Sequence, residues 1–167
     1  MKRISWIILI APLLLFFQGR RLDVAGKWDL DLKKSGSLPP SFSKVESYTL
    51  NIAQNHDTVT VNTHMKGAGQ DVDFPPFVYV LNGKETYRKD SLRGSERWSA
   101  CRWSKDKNRI LMDTRILLHP PGRPPAELLQ HDVWRLLDPK TLEISTEQRA
   151  AGSDSTHTEW RIYRKVK

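Results

Sequence analysis

From Val24 onward, apolar and polar residues alternate with a period of two rather than 3.6. Lys27–Leu32 reads Lys-Trp-Asp-Leu-Asp-Leu; Leu142 and Ile144 alternate with Glu143 and Ser145, and Trp160 and Ile162 with Glu159 and Arg161. Successive side chains of a strand point to opposite faces, so each segment predicts one wet face and one buried face. On this pattern Trp160 and Ile162 belong inside. Lys27, Asp29, Asp31, Glu143, Glu147, Glu159 and Arg161 belong outside. No long helical periodicity interrupts the pattern.

Turn residues divide the pattern into hairpins. Asn55-His56-Asp57 separates Val45–Gln54 from Thr58–Met65, and Asn82-Gly83 separates Phe77–Leu81 from Lys84–Arg88. Lys105-Asp106-Lys107-Asn108 separates Glu96–Ser104 from Arg109–Leu118, and Asp138-Pro139-Lys140 separates His131–Leu137 from Thr141–Arg149. With a first strand at Ala25–Leu32 and a last at Ser155–Lys165, the strands number ten. The links between hairpins are longer: Lys33–Lys44, Lys66–Pro76, Lys89–Ser95, His119–Leu128 and Ala151–Asp154. Alternate connections of a meander fall at opposite ends, so the short turns gather at one end and the long loops at the other. An all-β, antiparallel up-and-down barrel of about eight to ten strands satisfies this order and removes the sheet edges. Its mouth is the long-loop end, and a two-sheet sandwich is the competing solution. The charged outer faces exclude a lipid-embedded barrel, where each such residue costs up to several kcal/mol.

Residues 1–21 carry a different message. Lys2 and Arg3 precede an apolar run, Ile4–Phe17, the order of a secretory signal. Fourteen helical residues reach roughly 21 Å, short of the ~30 Å hydrocarbon core. The segment therefore predicts export, to the periplasm or the outside, as a signal peptide or as an uncleaved anchor held by Arg20 and Arg21. Kept as an anchor, residues 4–17 provide membrane association. The globular domain is expected over 24–167.

Composition narrows the chemistry. The net charge is +8, with no basic run longer than three charges, and an exported chain rarely meets nucleic acid. The single cysteine, Cys101, excludes an internal disulfide and a Cys-based zinc site, and it is expected to pack as a buried, inert thiol on the face of Trp103. His56, His64, His119, His131 and His157 are scattered without metal-ligand spacing, and no nucleophile elbow or glycine-rich phosphate loop occurs. The expectation is a non-enzymatic chain with no metal and no cofactor.

Gly26-Lys27-Trp28 at the start of the first strand matches the Gly-x-Trp signature of lipocalins, and a basic-aromatic strand, Trp160-Arg161-Ile162-Tyr163-Arg164, ends the pattern. Residues 24–167 resemble a lipocalin-like domain, or more broadly the calycin superfamily, and look most like the small secreted lipocalin-like domains of bacteria. The strand count departs toward ten, as in fatty-acid-binding proteins, from the lipocalin eight. The resemblance implies a barrel holding a small apolar or amphipathic molecule, with first and last strands paired. Gly26, Trp28 and Arg164 then close the floor, the Arg164 guanidinium lying over the Trp28 indole.

A barrel of this width is hard to fill with side chains alone. Tyr48, Leu50, Val61, Tyr79, Trp98, Met112, Trp134, Ile144 and Trp160 are the expected lining of the interior, with Trp98 reaching it only through a bulge. Summed over the mouth loops the charge is small and concentrated at Lys33, Lys34 and Lys44. The expected partner is a small lipophilic or weakly amphipathic molecule. A domain with a filled core that acts through its surface is the alternative.

Overall fold

The computed structural model describes residues 21–89 and 94–166. Of the expected signal or anchor segment, residues 1–20 lie outside the described residues. Ten strands follow in order: β1 (Gly26–Leu30), β2 (Val45–Gln54), β3 (Thr58–Gly67), β4 (Gln70–Val80), β5 (Asn82–Lys89), β6 (Glu96–Trp103), β7 (Ile110–Leu118), β8 (Ala126–Asp138), β9 (Thr141–Ala150) and β10 (His157–Lys165). One 3₁₀ turn, Pro40–Lys44, lies between β1 and β2. Among the described residues no helix is long and apolar enough to cross a membrane.

All neighbouring strands are antiparallel, in the order β4-β3-β2-β1-β10-β9-β8-β7-β6-β5. The sheet curls into a nearly closed barrel, an architecture compatible with the calycin fold. First and last strands pair as expected, Trp28 opposite Lys165 and Leu30 opposite Tyr163. Strands β4 and β5 meet without a ladder between them. There Arg88 Nη1 donates to the Pro76 carbonyl at 3.2 Å. The Arg88 and Arg97 guanidinium groups lie 4.0 and 5.6 Å from the centre of the Phe77 ring.

Two expectations about the wall fail together. Asn82-Gly83 does not turn a hairpin; β4 and β5 are separated by Leu81 alone and do not pair. The same dipeptide makes a bulge in β5, where the register against β6 slips between Asn82 and Glu85 and Gly83 takes φ +74°. A glycine in that region is as suited to a bulge as to a turn. Nor is Lys66–Pro76 a loop. Ala68 and Gly69, at φ 53° and +74°, turn the chain tightly, and β4 pairs with β3 from Gln70 onward. Pro75 and Pro76 fall where the β3–β4 register shifts between Val61 and Thr63. On an edge strand at a bulge, their missing N–H groups cost no ladder bond.

The third correction is a face. On β10 the inward residues are Glu159, Arg161, Tyr163 and Lys165. Trp160, Ile162 and Arg164 face out, because Tyr163 is paired with Leu142 and Leu30 on the inner wall. The β1–β2 connection covers this outer face. Gly36 bridges to Trp160, Asp31 N donates to the Ile162 carbonyl at 2.7 Å, and Ile162 N donates to Ser35 Oγ at 2.9 Å. Ile162 is thus buried from outside, beneath a loop. Trp160, 42% exposed, is only half covered.

The floor is sealed by the segment before β1. Leu22 and Val24 are buried, and Gln54 holds their backbone on both sides: Val24 N donates to Oε1 at 2.9 Å, and Nε2 donates to the Leu22 carbonyl at 2.8 Å. Trp28 Nε1 donates to the Val24 carbonyl at 2.8 Å. Above this plug lies the apolar core, with Trp28, Ile52, Val59, Ile110, Leu142 and Cys101 among its members. The core fills the lower barrel. The upper barrel borders a pocket.

Candidate functional site

Above the core, the inner faces of β2, β3, β4, β6, β7, β8, β9 and β10 border a pocket of about 520 Å³. Of the expected lining, Tyr48, Leu50, Val61, Tyr79, Met112, Trp134 and Ile144 all border it. Period-two alternation brings them together, since each occupies the inward parity of its strand. Tyr79 and Trp134 meet edge to face at 5.8 Å at the apolar bottom.

Two expected lining residues do not reach the pocket. Trp98 faces outward on β6, paired with Tyr87 and Arg115, and no bulge turns it in. The Arg115 guanidinium lies 4.2 Å from the centre of its ring and the Tyr87 ring 5.3 Å away, in an exterior groove of about 420 Å³. That groove is shallow, and its Asp113 is engaged by Arg102 at 2.5 Å and His131 at 2.6 Å. Burial opposes the Asp113 charge, yet these two partners hold its carboxyl below the usual range. Trp160 faces out as described. Arg164 also faces out, 3.6 Å from Asp31 and bonded to Thr141 Oγ1. The cation over Trp28 is instead Lys165, directly opposite it in the ladder, with Nζ 5.1 Å from the ring centre. Gly26 and Trp28 stand at the seam as expected.

The sequence pattern missed the polar wall. Gln130, Asp132, Thr146 and Arg161 border the pocket, with Arg97 across from them. Buried Asp132 accepts from Thr146 Oγ1 at 2.5 Å and from Gln130 Nε2 at 2.7 Å. Burial pushes its carboxyl up from the usual value, while those hydrogen bonds and the charges of Arg161 and Arg97 pull the other way. Arg161 donates through Nη2 to buried Glu159. Burial works against the Arg161 charge, but Tyr163 and Glu159 beside it raise its pKa, so it stays cationic. Its Nε is buried without a partner among the described residues. Such an orphaned donor is costly unless something else accepts from it. Burial likewise raises Tyr48, Tyr79 and Tyr163, so all three hydroxyls keep their protons.

The 3₁₀ turn supplies the roof. Its Phe42 lies 5.4 Å from the Tyr48 ring, with the Arg161 guanidinium 5.6 Å from its own ring centre. Ser41, Phe42 and Val45 border the pocket, whereas Lys33, Lys34 and Lys44 do not. The signal for Arg161 was available as its two-residue offset from Tyr163. It was overruled because charge reads as surface.

Cys101 is buried beside this wall and its thiol is pushed up to about 12 by burial and by the nearby Asp132 and Asp113 carboxylates. No group of three metal-ligating side chains converges among the described residues. The chain matches no protein-family model and no curated protein.

Proposed function

We propose that this chain is an exported, lipocalin-like carrier that holds one small amphipathic molecule inside its barrel. The apolar body packs against Leu50, Val61, Met65, Met112 and Ile144, and the polar end meets Arg161 and Gln130. The observation that supports this reading is the 520 Å³ pocket, whose lining combines apolar side chains with Gln130, Asp132, Thr146 and Arg161. A core that served stability alone would place an apolar residue at Arg161, since an unpartnered buried donor destabilises the fold. Entry is from the long-loop end, past Phe42. On this reading the protein performs no chemistry on its cargo: binding is burial of apolar area plus satisfaction of a few fixed polar groups.

Native mass spectrometry of the protein as isolated from its expressing cells tests the proposal. The expected result is an adduct of one lipophilic molecule, absent from a folded Met65→Trp variant that fills the pocket. A mass equal to the chain alone, together with no saturable uptake of the neutral probe 1-aminoanthracene, overturns it.

A further inference from the structure

The charges around the pocket are balanced before any ligand arrives. Arg97 and Arg161 supply two positive charges, and Asp132 and Glu159 two negative ones. Resting on the carrier reading, we infer that the ligand's polar end is uncharged and offers both a hydrogen-bond acceptor and a donor, as a primary alcohol or primary amide does.

The inference follows from what each buried group still lacks. Arg161 commits Nη2 to Glu159 and borders the pocket with other guanidinium N–H donors, so it takes an acceptor. Asp132 takes one hydrogen bond on each oxygen, from Thr146 and from Gln130, and each carboxylate oxygen has capacity for another. It therefore welcomes a donor. A hydroxyl carries both an acceptor and a donor.

A carboxylate serves only the first. Its charge would compete with Glu159 for Arg161 and share the polar wall with the Asp132 carboxylate, where an unbalanced buried charge is expensive. An ester offers an acceptor but leaves Asp132 with nothing. The net positive charge of the chain does not alter this, because surface charge is screened within about 8–10 Å by salt while the buried groups are not.

The test is displacement of 1-aminoanthracene from the isolated protein by decanol, decanamide, methyl decanoate and decanoate at pH 8. Decanol and decanamide are expected to bind at least ten-fold more tightly than decanoate, with the ester between them. The alcohol's affinity should not change between low and high salt. Glu159→Gln releases Arg161 and should narrow the gap by favouring decanoate. Decanoate binding as tightly as decanol overturns the inference while leaving the carrier reading intact. So does an unchanged alcohol-to-acid ratio in a folded Glu159→Gln variant. Failure of all four to displace the probe overturns both.

Discussion

The ammonium of Lys165 lies 5.1 Å from the centre of the Trp28 ring, across the ladder that joins the last strand to the first. Trp28 is wholly buried, so the lysine closes the underside of the barrel core. Cation–π contacts of this kind contribute about 0.5–2 kcal/mol. Urea unfolding should therefore show Lys165→Ala destabilised by about 0.5–1 kcal/mol, with Arg164→Ala affected less, because the half-exposed Arg164 meets Asp31 only at 3.6 Å. The opposite ranking would assign floor closure to Arg164 after all.

Gly36 is where a loop meets an indole. A Cβ placed there would stand 2.1 Å from Trp160 Cζ2. Gly36→Ala must push the β1–β2 connection off β10, at a cost of about 1–3 kcal/mol by the usual penalty for overpacking. Removing the ring should remove the penalty. Gly36→Ala measured in a Trp160→Ala background should cost much less than in the native chain. Equal costs in the two backgrounds would show that the clash is not what matters.

Cys101 is buried, and its thiol titrates far above neutrality. Only the thiolate attacks disulfide reagents. The folded protein at pH 8 should leave Ellman's reagent unreacted, with one equivalent released on unfolding in guanidinium. Rapid reaction of the folded protein would contradict the packing of β6 against the core.

Asp132 gives stability a pH dependence of its own. A carboxyl held above its unfolded value of 3.8 favours the folded state in acid, and that contribution is lost as the pH rises through the folded value. Asp132→Asn keeps an acceptor for Thr146 and removes the buried charge. The variant should equal the native chain near pH 4 and exceed it in melting temperature at neutral pH. A gap that stays constant with pH would refute the assignment.

Alternation made most of the wall readable, because a strand that is wet on one side and dry on the other writes its register into its sequence. Leu50, Val61, Met112 and Ile144 were legible for that reason. Legibility fails where a second layer or a polar interior reverses the rule. Ile162 is apolar on the outer face because Ser35 and Gly36 cover it, and Arg161 is charged on the inner face because Glu159 awaits it. Both follow from a contact more than a hundred residues distant or from a neighbour of equal polarity, and neither leaves a periodic trace. Pro75-Pro76 and Asn82-Gly83 misled for a related reason. The backbone angles they impose are shared by turns and bulges, and only the partner strand decides which forms.

The join between β4 and β5 makes the wall a split ring rather than a hoop. Nine backbone ladders run in series around the circumference, and among the described residues the tenth joint is made by Phe77, Arg88, Arg97 and the Pro76 carbonyl. Parting the walls there would separate side chains and leave every ladder whole. The barrel's girth is set at this point by side chains and not by backbone pairing. Its clasp is an arginine–aromatic contact, worth less than the ladder it stands in for.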